Sequence, residues 1–343
     1  MRLLGVIPLL LALCASSCRA GPANAKFAAT NAVAVPTRYK LARPERYPGM
    51  CDASGAVPIT SNVFAVASDE DNVLRLYQSD HPSHPIREFD FNSFLEVHGK
   101  SPEADLEAAA RIGNRAFWIG SHGRNKNGRE RQNRDRFFAT DIRINGDDID
   151  LVPVGQPYER LLDDFLEDPR LARFHLGEAS NYAPKEWDAL NIEGLSATPD
   201  GHLLVGFRNP IPEGRALLVP LLNPNEIVQG KRARLGDPVQ LDLGGLGIRD
   251  MAYYGGSYII IAGPYDGGRD FRLYHWSGGE AAPETIKTKH LNDYHPEAVL
   301  IYPEKGLLEL QVLSDDGTRL IDGIPCKDKP PEAQGFRSFW LVQ

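Results

Sequence analysis

Asn191-Ile192-Glu193-Gly194-Leu195-Ser196-Ala197 opens a stretch that continues through Pro199-Asp200-Gly201 to Leu203-Leu204-Val205-Gly206-Phe207. Two β-forming runs joined by an Asp-Gly turn are typical of a β-hairpin. Four other stretches also place a small polar or acidic cluster ahead of an apolar run. The five stretches begin at Cys51, Asp105, Asn191, Ile248 and His295, and aligning Ser54, Glu107, Glu193, Asp250 and Glu297 within them gives steps of 53, 86, 57 and 47 residues.

Repeated β modules at such intervals predict an all-β fold, a five-bladed β-propeller. A six-bladed ring is the alternative, because the 86-residue step has room for a degenerate blade. Third strands are expected over residues 72–77, 136–144, 216–221 and 271–276. Residues 336–342 and 33–41 are the candidate terminal strands that close the ring by pairing within one blade, which would remove a sheet edge.

The long step contains an insertion over residues 155–190. Its apolar residues follow helical spacing and stop before Asp168-Pro169; they are Tyr158, Leu161, Leu162, Phe165 and Leu166. We expect a helical insertion that caps the face where the strands of each repeat begin.

The first 25 residues indicate export. Arg2 precedes an apolar stretch over residues 3–15, as in a signal peptide, and two endings stay open. Ala15-Ser16-Ser17-Cys18 resembles a lipobox, which would make Cys18 a lipidated residue, whereas Ala23-Asn24-Ala25 suits ordinary cleavage before a single domain over residues 26–343. Either ending predicts a periplasmic or cell-envelope protein, with a lipid anchor as its only membrane contact.

Two composition features limit the partners. The formal net charge of the 343 residues is −8, which disfavours nucleic acid and favours a small anionic molecule or an envelope partner met through local basic groups. We expect a monomer. Beyond the signal region only Cys51 and Cys326 remain, and in an oxidising compartment they are expected to pair, with two separate buried thiols as the alternative.

The inner-strand acids are the first candidate site. In an antiparallel meander the start of the first strand and the end of the second lie at one end, so Glu107, Glu193, Asp250 and Glu297 should meet at one channel mouth. Four crowded carboxylates need a cation, nearby arginines or protonation. Oxygen ligands predict Ca²⁺ or Mg²⁺, and the same four residues are the catalytic candidates. The structural alternative is that they accept backbone hydrogen bonds from neighbouring blades.

Polar and basic residues share that face. Ser121, His122, Arg124, Arg208 and Arg249 are the substrate-binding candidates, because arginine suits bidentate binding of phosphate or carboxylate. The alternative is that these groups pair with the channel acids. Two further segments look calcium-like, Asp69-Glu70-Asp71-Asn72 and Asp315-Asp316-Gly317. Neither has EF-hand spacing, and hairpin turns of this composition need no metal.

At several of these positions the chain resembles an uncharacterised, mostly bacterial family, the domain of unknown function 3616 (DUF3616). The matching stretches include Cys51-Asp52-Ala53-Ser54-Gly55-Ala56-Val57, Asp69-Glu70-Asp71-Asn72-Val73-Leu74-Arg75-Leu76-Tyr77, Asp105-Leu106-Glu107-Ala108 and Leu246-Gly247-Ile248-Arg249-Asp250. The resemblance covers residues 45–343 and brings no established activity with it. The Glu-Gly strand starts are also distantly similar to those of esterase-like phytase propellers, a likeness that supports the fold.

Two functions follow from these expectations. The first is an exported, metal-assisted hydrolase of phosphoesters or related esters, with a glycosidase using two of the carboxylates as its lesser version. The second is a non-catalytic propeller that binds a ligand or an envelope partner. The absence of G-x-S-x-G, H-E-x-x-H, P-loop and C-x-x-C motifs favours the second.

Overall fold

A computed structural model describes residues 33–343, which form five four-stranded antiparallel sheets. The predicted signal over residues 1–25 and the candidate lipidation site Cys18 lie outside the described residues. Within the described part, no helix is both long and apolar enough to span a bilayer.

The sheets are the blades of the five-bladed β-propeller that the repeats predict. The first strand in the chain, β1 (Lys40–Pro48), belongs to the last blade. Blade 1 is β2 (Ala56–Pro58), β3 (Val63–Val66), β4 (Val73–Gln78) and β5 (Arg87–Asp90), followed by helix α1 (Asn92–Leu95); blade 2 is β6 (Leu106–Ile112), β7 (Arg115–Gly120), β8 (Phe137–Asn145) and β9 (Asp148–Tyr158), followed by α2 (Leu161–Glu167) and α3 (Leu176–Ala179).

The remaining blades follow in chain order. Blade 3 is β10 (Asn191–Ala197), β11 (Leu203–Asn209), β12 (Ala216–Leu221), helix α4 (Pro224–Ile227) and β13 (Val239–Leu241); blade 4 is β14 (Gly247–Tyr254), β15 (Ser257–Gly263), β16 (Arg272–Trp276) and β17 (Glu284–Ile286). Blade 5 is β18 (Pro296–Leu300), β19 (Glu309–Ser314), β22 (Gly335–Val342) and β1, with the ribbon β20 (Leu320–Ile321) and β21 (Ile324–Pro325) between β19 and β22. Short 3₁₀ turns lie at Gln132–Arg134, Ala172–Phe174, Pro212–Gly214, Leu291–Asp293, Cys326–Asp328 and Pro331–Ala333.

Ring closure differs from the expectation in one respect. β22 pairs antiparallel with β1, from Lys40↔Val342 to Pro48↔Gly335. The N-terminal strand is therefore residues 40–48 rather than 33–41. Residues ahead of it run along blade 4 instead, where Tyr39 N–H donates to Lys287 O. A fourth, outer strand also completes each of blades 1 to 4, which the three-strand repeat pattern does not include.

The hydrophobic core is divided into five wedges, each between two adjacent blades. Buried aromatic and aliphatic side chains fill them in pairs such as Leu74 with Trp118, Phe117 with Phe207, Leu204 with Trp276, Ile259 with Phe339, and Phe64 with Trp340. Because every blade contributes to two wedges, contacts between blades stabilise the ring in addition to those within each blade.

A one-residue irregularity recurs near the start of four inner strands. The pairing register shifts between Leu106 and Ala108, Ile192 and Gly194, Ile248 and Asp250, and Pro296 and Ala298. The extra residues are Glu107, Glu193, Arg249 and Glu297. A β-bulge re-aims the side chain of its extra residue, and here it does so at one level of the ring. The structural equivalent of the three glutamates in blade 4 is thus Arg249, one residue before the Asp250 that the sequence alignment selects.

The insertion after blade 2 is only partly helical. Tyr158 ends β9, α2 spans Leu161–Glu167, and Leu166 is exposed. The rest of the insertion lies on the face where the inner strands begin. Its carbonyl groups at Ser180 and Pro184 accept hydrogen bonds from Arg124 and Arg208. The insertion is therefore held against that face by two arginines.

A disulfide joins Cys51, ahead of blade 1, to Cys326 in blade 5. Lys327 N–H donates to Gly317 O, and Asp316 N–H donates to Cys51 O, so the bond lies within a hydrogen-bonded junction of the first and last blades. It closes a covalent loop across a sequence separation of 275 residues.

Replacing both cysteines, as Cys51→Ser with Cys326→Ser, should lower the free energy of unfolding by about 5 kcal/mol in the chain-entropy estimate for so long a loop. Urea unfolding followed by circular dichroism measures this change, with the dithiothreitol-treated wild type as the matched comparison. Equal midpoints for the oxidised wild type and the double variant would show that strand pairing alone holds the ring closed.

Candidate functional site

The starts of the inner strands and the ends of their hairpin partners share one face of the ring. Leu106 pairs with Gly120, Asn191 with Asn209, and Pro296 with Ser314. This arrangement brings the polar residues that head the repeats to one channel mouth. The mouth has two parts, which differ in how its carboxylates are neutralised.

The arginine side of the mouth consists of Glu193, Arg208, Arg249 and Glu297. Arg249 Nη1 lies 2.9 Å from Glu193 Oε2, and its Nε donates to Glu297 Oε2 at 3.0 Å. Arg208 Nη1 donates to Glu193 Oε1 at 2.6 Å. All four side chains are buried. One guanidinium thus links inner strands of blades 3, 4 and 5.

Electrostatics on the arginine side follow from this pairing. Burial lowers the pKa of Arg249, but Glu193 and Glu297 outweigh it, so its pKa is raised. Burial raises the pKa of Glu297 to about 8, although Arg249 opposes the shift. Glu193 and Glu297, which the sequence predicts as metal ligands, are therefore paired with arginines. A metal ion would have to displace these ion pairs in order to bind either glutamate.

Asp250 does not join the other predicted carboxylates. Its Oδ2 accepts the Val299 N–H of the neighbouring blade at 2.8 Å, and burial raises its pKa well above the ordinary range. It lines a cavity of about 380 Å³ in the channel, together with Ala109, Ala197 and Met251. This is the structural alternative for an inner-strand acid: Asp250 fastens blade 4 to blade 5.

The acidic side of the mouth consists of Asp52, Asp69, Glu70, Asp105, Glu107 and Asp315. Single carboxylate oxygens of Asp69, Asp105 and Glu107 lie within 4.8 Å of one another, and so do oxygens of Asp52, Asp69 and Glu70. Among residues 33–343, ion pairs reach Asp105 from Arg134 at 2.7 Å and Glu70 from Lys327. Those contacts leave Asp69 and Glu107 without a cationic partner.

These carboxylates raise one another's pKa. Burial is the main cause for Asp69 and Glu107, whose pKa values lie well above the ordinary range, and neighbouring carboxylates add to it. Burial and the charge of Asp315 raise the pKa of Asp52 to about 8. One oxygen of Asp69, Oδ1, is buried and accepts no hydrogen bond from the described residues. The described residues therefore supply too few hydrogen-bond donors and positive charges for the carboxylates of the acidic side.

Local backbone structure places the two central acids. Asp69 lies in the turn after β3, where Glu70 N–H donates to Ser68 Oγ and Asp71 is turned away by its ion pair with Arg75. Asp105 has a left-handed backbone conformation (φ 52°) just before β6. Its carbonyl accepts the Ser121 N–H, which ties it to the end of β7.

The remaining predicted substrate-binding residues have protein partners. Ser121 Oγ accepts the Gly123 N–H at 3.2 Å, and Arg124 donates to Ser180 O and Asn181 Oδ1 of the insertion. His122 is buried with Nδ1 2.8 Å from Gly120 O, and burial lowers its pKa to about 4. The structure therefore places Arg124 as a support for the insertion and His122 as a neutral interior side chain.

Sequence reasoning selected Glu107 but missed its neighbours. Asp69 and Asp315 lie in the two calcium-like segments, which the sequence analysis interprets as plain turns. Asp52 and Asp105 lie two residues before the aligned positions Ser54 and Glu107. The calcium-like composition was the available signal for Asp69. For Asp316 the turn interpretation is correct, because both of its oxygens accept hydrogen bonds from Arg337.

Comparison with known proteins identifies the family but no activity. The profile of a protein family of unknown function, DUF3616, matches residues 52–143 and 151–302, so the chain belongs to that family. No curated protein sequence matches it.

Several solved structures are similar to this chain at low identity. A glutaminyl cyclase of Myxococcus xanthus is 12% identical with a TM-score of 0.47, covering 90% of this chain and 100% of that one. An α-L-arabinofuranosidase of Podospora anserina is 12% identical with a TM-score of 0.46, covering 90% and 98%. An aldose sugar dehydrogenase of Streptomyces coelicolor is 11% identical with a TM-score of 0.42, covering 90% and 100%.

The raised pKa values predict how metal-free protein responds to pH. Asp52 and Glu297 ionise near pH 4 in the unfolded chain but near pH 8 in the fold, so they stabilise the protein fully below pH 4 and lose that contribution as the pH rises to 8. His122 has the opposite sign, but only between about pH 4 and 6.5. From pH 6.5 to 8 in EDTA, the free energy of unfolding should fall by about 1–2 kcal/mol for each acid.

Urea unfolding across that pH window measures the change, and Asp52→Asn is the matched variant because its amide cannot titrate. It should lose less stability than the wild type over the same window. A free energy of unfolding that rises from pH 6.5 to 8 in EDTA would contradict the raised pKa values.

Proposed function

We propose that this DUF3616 protein is a divalent-cation-dependent hydrolase of phosphoesters or related esters, acting in the periplasm or cell envelope. One observation carries the proposal: carboxylate oxygens of Asp69, Asp105 and Glu107 converge within 4.8 Å, and Asp69 and Glu107 have no cationic partner among the described residues. The disulfide is compatible with export, and a lipid anchor at Cys18 belongs to the same proposal.

Charge balance favours a cation on the acidic side. Six carboxylates meet there, and among residues 33–343 the ion pairs to them come from Lys327 and Arg134. Two unit charges 4.8 Å apart repel by about 3.5 kcal/mol at an effective dielectric constant near 20. In the metal-free protein protonation relieves this repulsion, since burial and the charge of Asp315 raise the pKa of Asp52 to about 8, and a divalent cation would relieve it in place of those protons.

The donor set suits Ca²⁺ or Mg²⁺. Each candidate ligand is a carboxylate oxygen, the donor that these hard cations prefer, and an orphaned buried oxygen of Asp69 belongs to the set. Three carboxylates do not fill a coordination shell of six to eight oxygens, so positions stay open for water and for an anionic ligand. When bound, such a cation polarises a phosphoryl or carbonyl oxygen and lowers the pKa of a bound water.

The chain's own residues divide the remaining tasks. Asp52 lies in the second carboxylate group with Asp69, and a pKa of about 8 lets it exchange a proton near neutral pH. Arg208 and Arg249 pair with Glu193 and Glu297 and hold these two side chains in place. The anionic part of a substrate is therefore assigned to the cation rather than to these arginines.

A second candidate, a non-catalytic propeller that binds a small anionic ligand or an envelope partner, is favoured by a different observation. Arg124, Arg208 and Arg249 all donate to protein acceptors, and Ser121 Oγ is engaged by a backbone amide. None of these predicted substrate-binding groups is free in the described structure. In this case the cation would bind ligand without turnover.

Calcium or magnesium should stabilise the wild-type protein, by about 2.7 kcal/mol when the free cation is a hundred times its Kd. Asp69→Asn and Glu107→Gln should remove most of that gain, because each deletes one charged ligand. Thermal melting with and without EDTA measures it. Glu304→Gln is the matched control, since Glu304 is an exposed acid at the opposite end of the channel cavity. Melting temperatures that ignore calcium, magnesium and EDTA would contradict the cation site.

Hydrolysis of p-nitrophenyl phosphate and p-nitrophenyl acetate tests catalysis separately. The proposal expects turnover that EDTA abolishes and that Glu107→Gln reduces at least about a hundredfold, the usual size of a lost catalytic contribution. Cation-dependent stabilisation with no turnover of either ester would favour the binding protein instead.

A further inference from the structure

One large aromatic side chain is exposed beside the mouth. Trp187, in the insertion, is 47% exposed, whereas the other three tryptophans are fully buried. Its ring meets Tyr265 of blade 4 edge-on, with centroids 5.1 Å apart and an interplanar angle of 85°. We propose that Trp187 and Tyr265 form a stacking subsite for a sugar ring, so that the substrate is a sugar phosphate or related sugar ester. This rests on the proposed function, whose cation would hold the anionic group.

Trp187 is fixed close to the arginine side. Arg208, whose Nη1 pairs with Glu193, donates from Nη2 to Pro184 O at 2.8 Å. Asn209 donates to Glu186 O at 3.0 Å, the carbonyl group bonded directly to the nitrogen of Trp187. The aromatic ring is thus presented by a segment that mouth residues hold in place, and its position is set before any ligand arrives.

Tyr265 is linked to the mouth from the other side. It follows Gly263 by two residues, and a Cβ on Gly263 would lie 2.8 Å from Arg249 Cγ, so the backbone there packs directly on the central arginine. The Trp187–Tyr265 contact therefore joins the insertion ahead of blade 3 to the loop after β15 in blade 4, and both segments contact residues of the arginine side.

The neighbours of Trp187 favour a sugar over a nucleobase. Glu186 and Asp188 flank it in the sequence and are exposed, so the segment that carries the ring also carries two carboxylates that can accept hydroxyl donors. A sugar ring offers an apolar C–H face and outward hydroxyl donors, which complements that arrangement. A nucleobase has no hydroxyl groups to donate to those two acids.

Intrinsic fluorescence tests the subsite directly, because Trp187 dominates the solvent-exposed tryptophan signal. Glucose 6-phosphate should change that emission in the presence of calcium, and inorganic phosphate should compete with it without changing the emission itself. By calorimetry, Trp187→Ala should weaken glucose 6-phosphate at least about tenfold, as expected for loss of an aromatic stacking contact. Trp187→Phe should restore most of the affinity.

The controls separate this subsite from the cation site. Trp187→Ala should leave calcium stabilisation and affinity for inorganic phosphate unchanged, and Tyr182→Ala, on the same insertion, should leave glucose 6-phosphate affinity unchanged. Equal affinity of wild type and Trp187→Ala for glucose 6-phosphate would overturn the subsite. Tighter binding of AMP than of glucose 6-phosphate would overturn the sugar assignment. Trp187-dependent binding that persists in EDTA would support the subsite while contradicting the cation-dependent function.

Discussion

The ion-pair network around Arg249 determines the character of the whole mouth. Its guanidinium reaches Glu193 of blade 3 and Glu297 of blade 5, so a single buried group joins three inner strands. Buried ion pairs of this kind contribute little net stability, yet removing one partner leaves uncompensated charge and costs several kcal/mol. Their main effect here is positional: they fix which carboxylates are neutralised by protein and which are not.

This network makes a repeating fold asymmetric. The bulges at the inner strands place Glu107, Glu193, Arg249 and Glu297 at equivalent positions, and one arginine among three glutamates can pair with only its nearest neighbours. Glu107 lies beside Asp69 and Asp105 instead. The repeated bulges therefore place several acids close together at one level of the ring. Arg249 pairs with Glu193 and Glu297. The acids between blades 1 and 2, Asp69 and Glu107, have no cationic partner in the described part of the chain.

The sequence predicts the ring well because its signals are local. Asp-Gly and Gly-Gly turns between β-rich runs define the hairpins, and their spacing defines the five blades. The bulges are not visible in such signals, and a one-residue offset reverses the face of a side chain. For this reason the sequence alignment matches Asp250 with the three glutamates, although Asp250 accepts a hydrogen bond from Val299 N–H. The residue structurally equivalent to those glutamates is Arg249, which the sequence predicts as a substrate-binding residue. The predicted N-terminal strand begins too early because residues 33–41 contain the strand formers Val33, Val35 and Tyr39, whereas residues 40–48 are mostly charged residues and prolines that strand propensity disfavours.

The convergence of Asp69 with Asp105 and Glu107 could not be predicted from the same signals, because it depends on how far a turn of blade 1 leans towards blade 2. Gly55 shows how close that approach is, since a Cβ there would lie 2.5 Å from the backbone of Ala108. Close approach of blades 1 and 2 brings their acids together, while Arg124, Arg208 and Arg249 hold the insertion and the other glutamates instead. Recognition of an anion at this mouth would then require a cation bound by Asp69, Asp105 and Glu107. Under the proposed function, a cation and its anionic ligand would bind together at this mouth, next to the insertion that Arg124 and Arg208 hold against it.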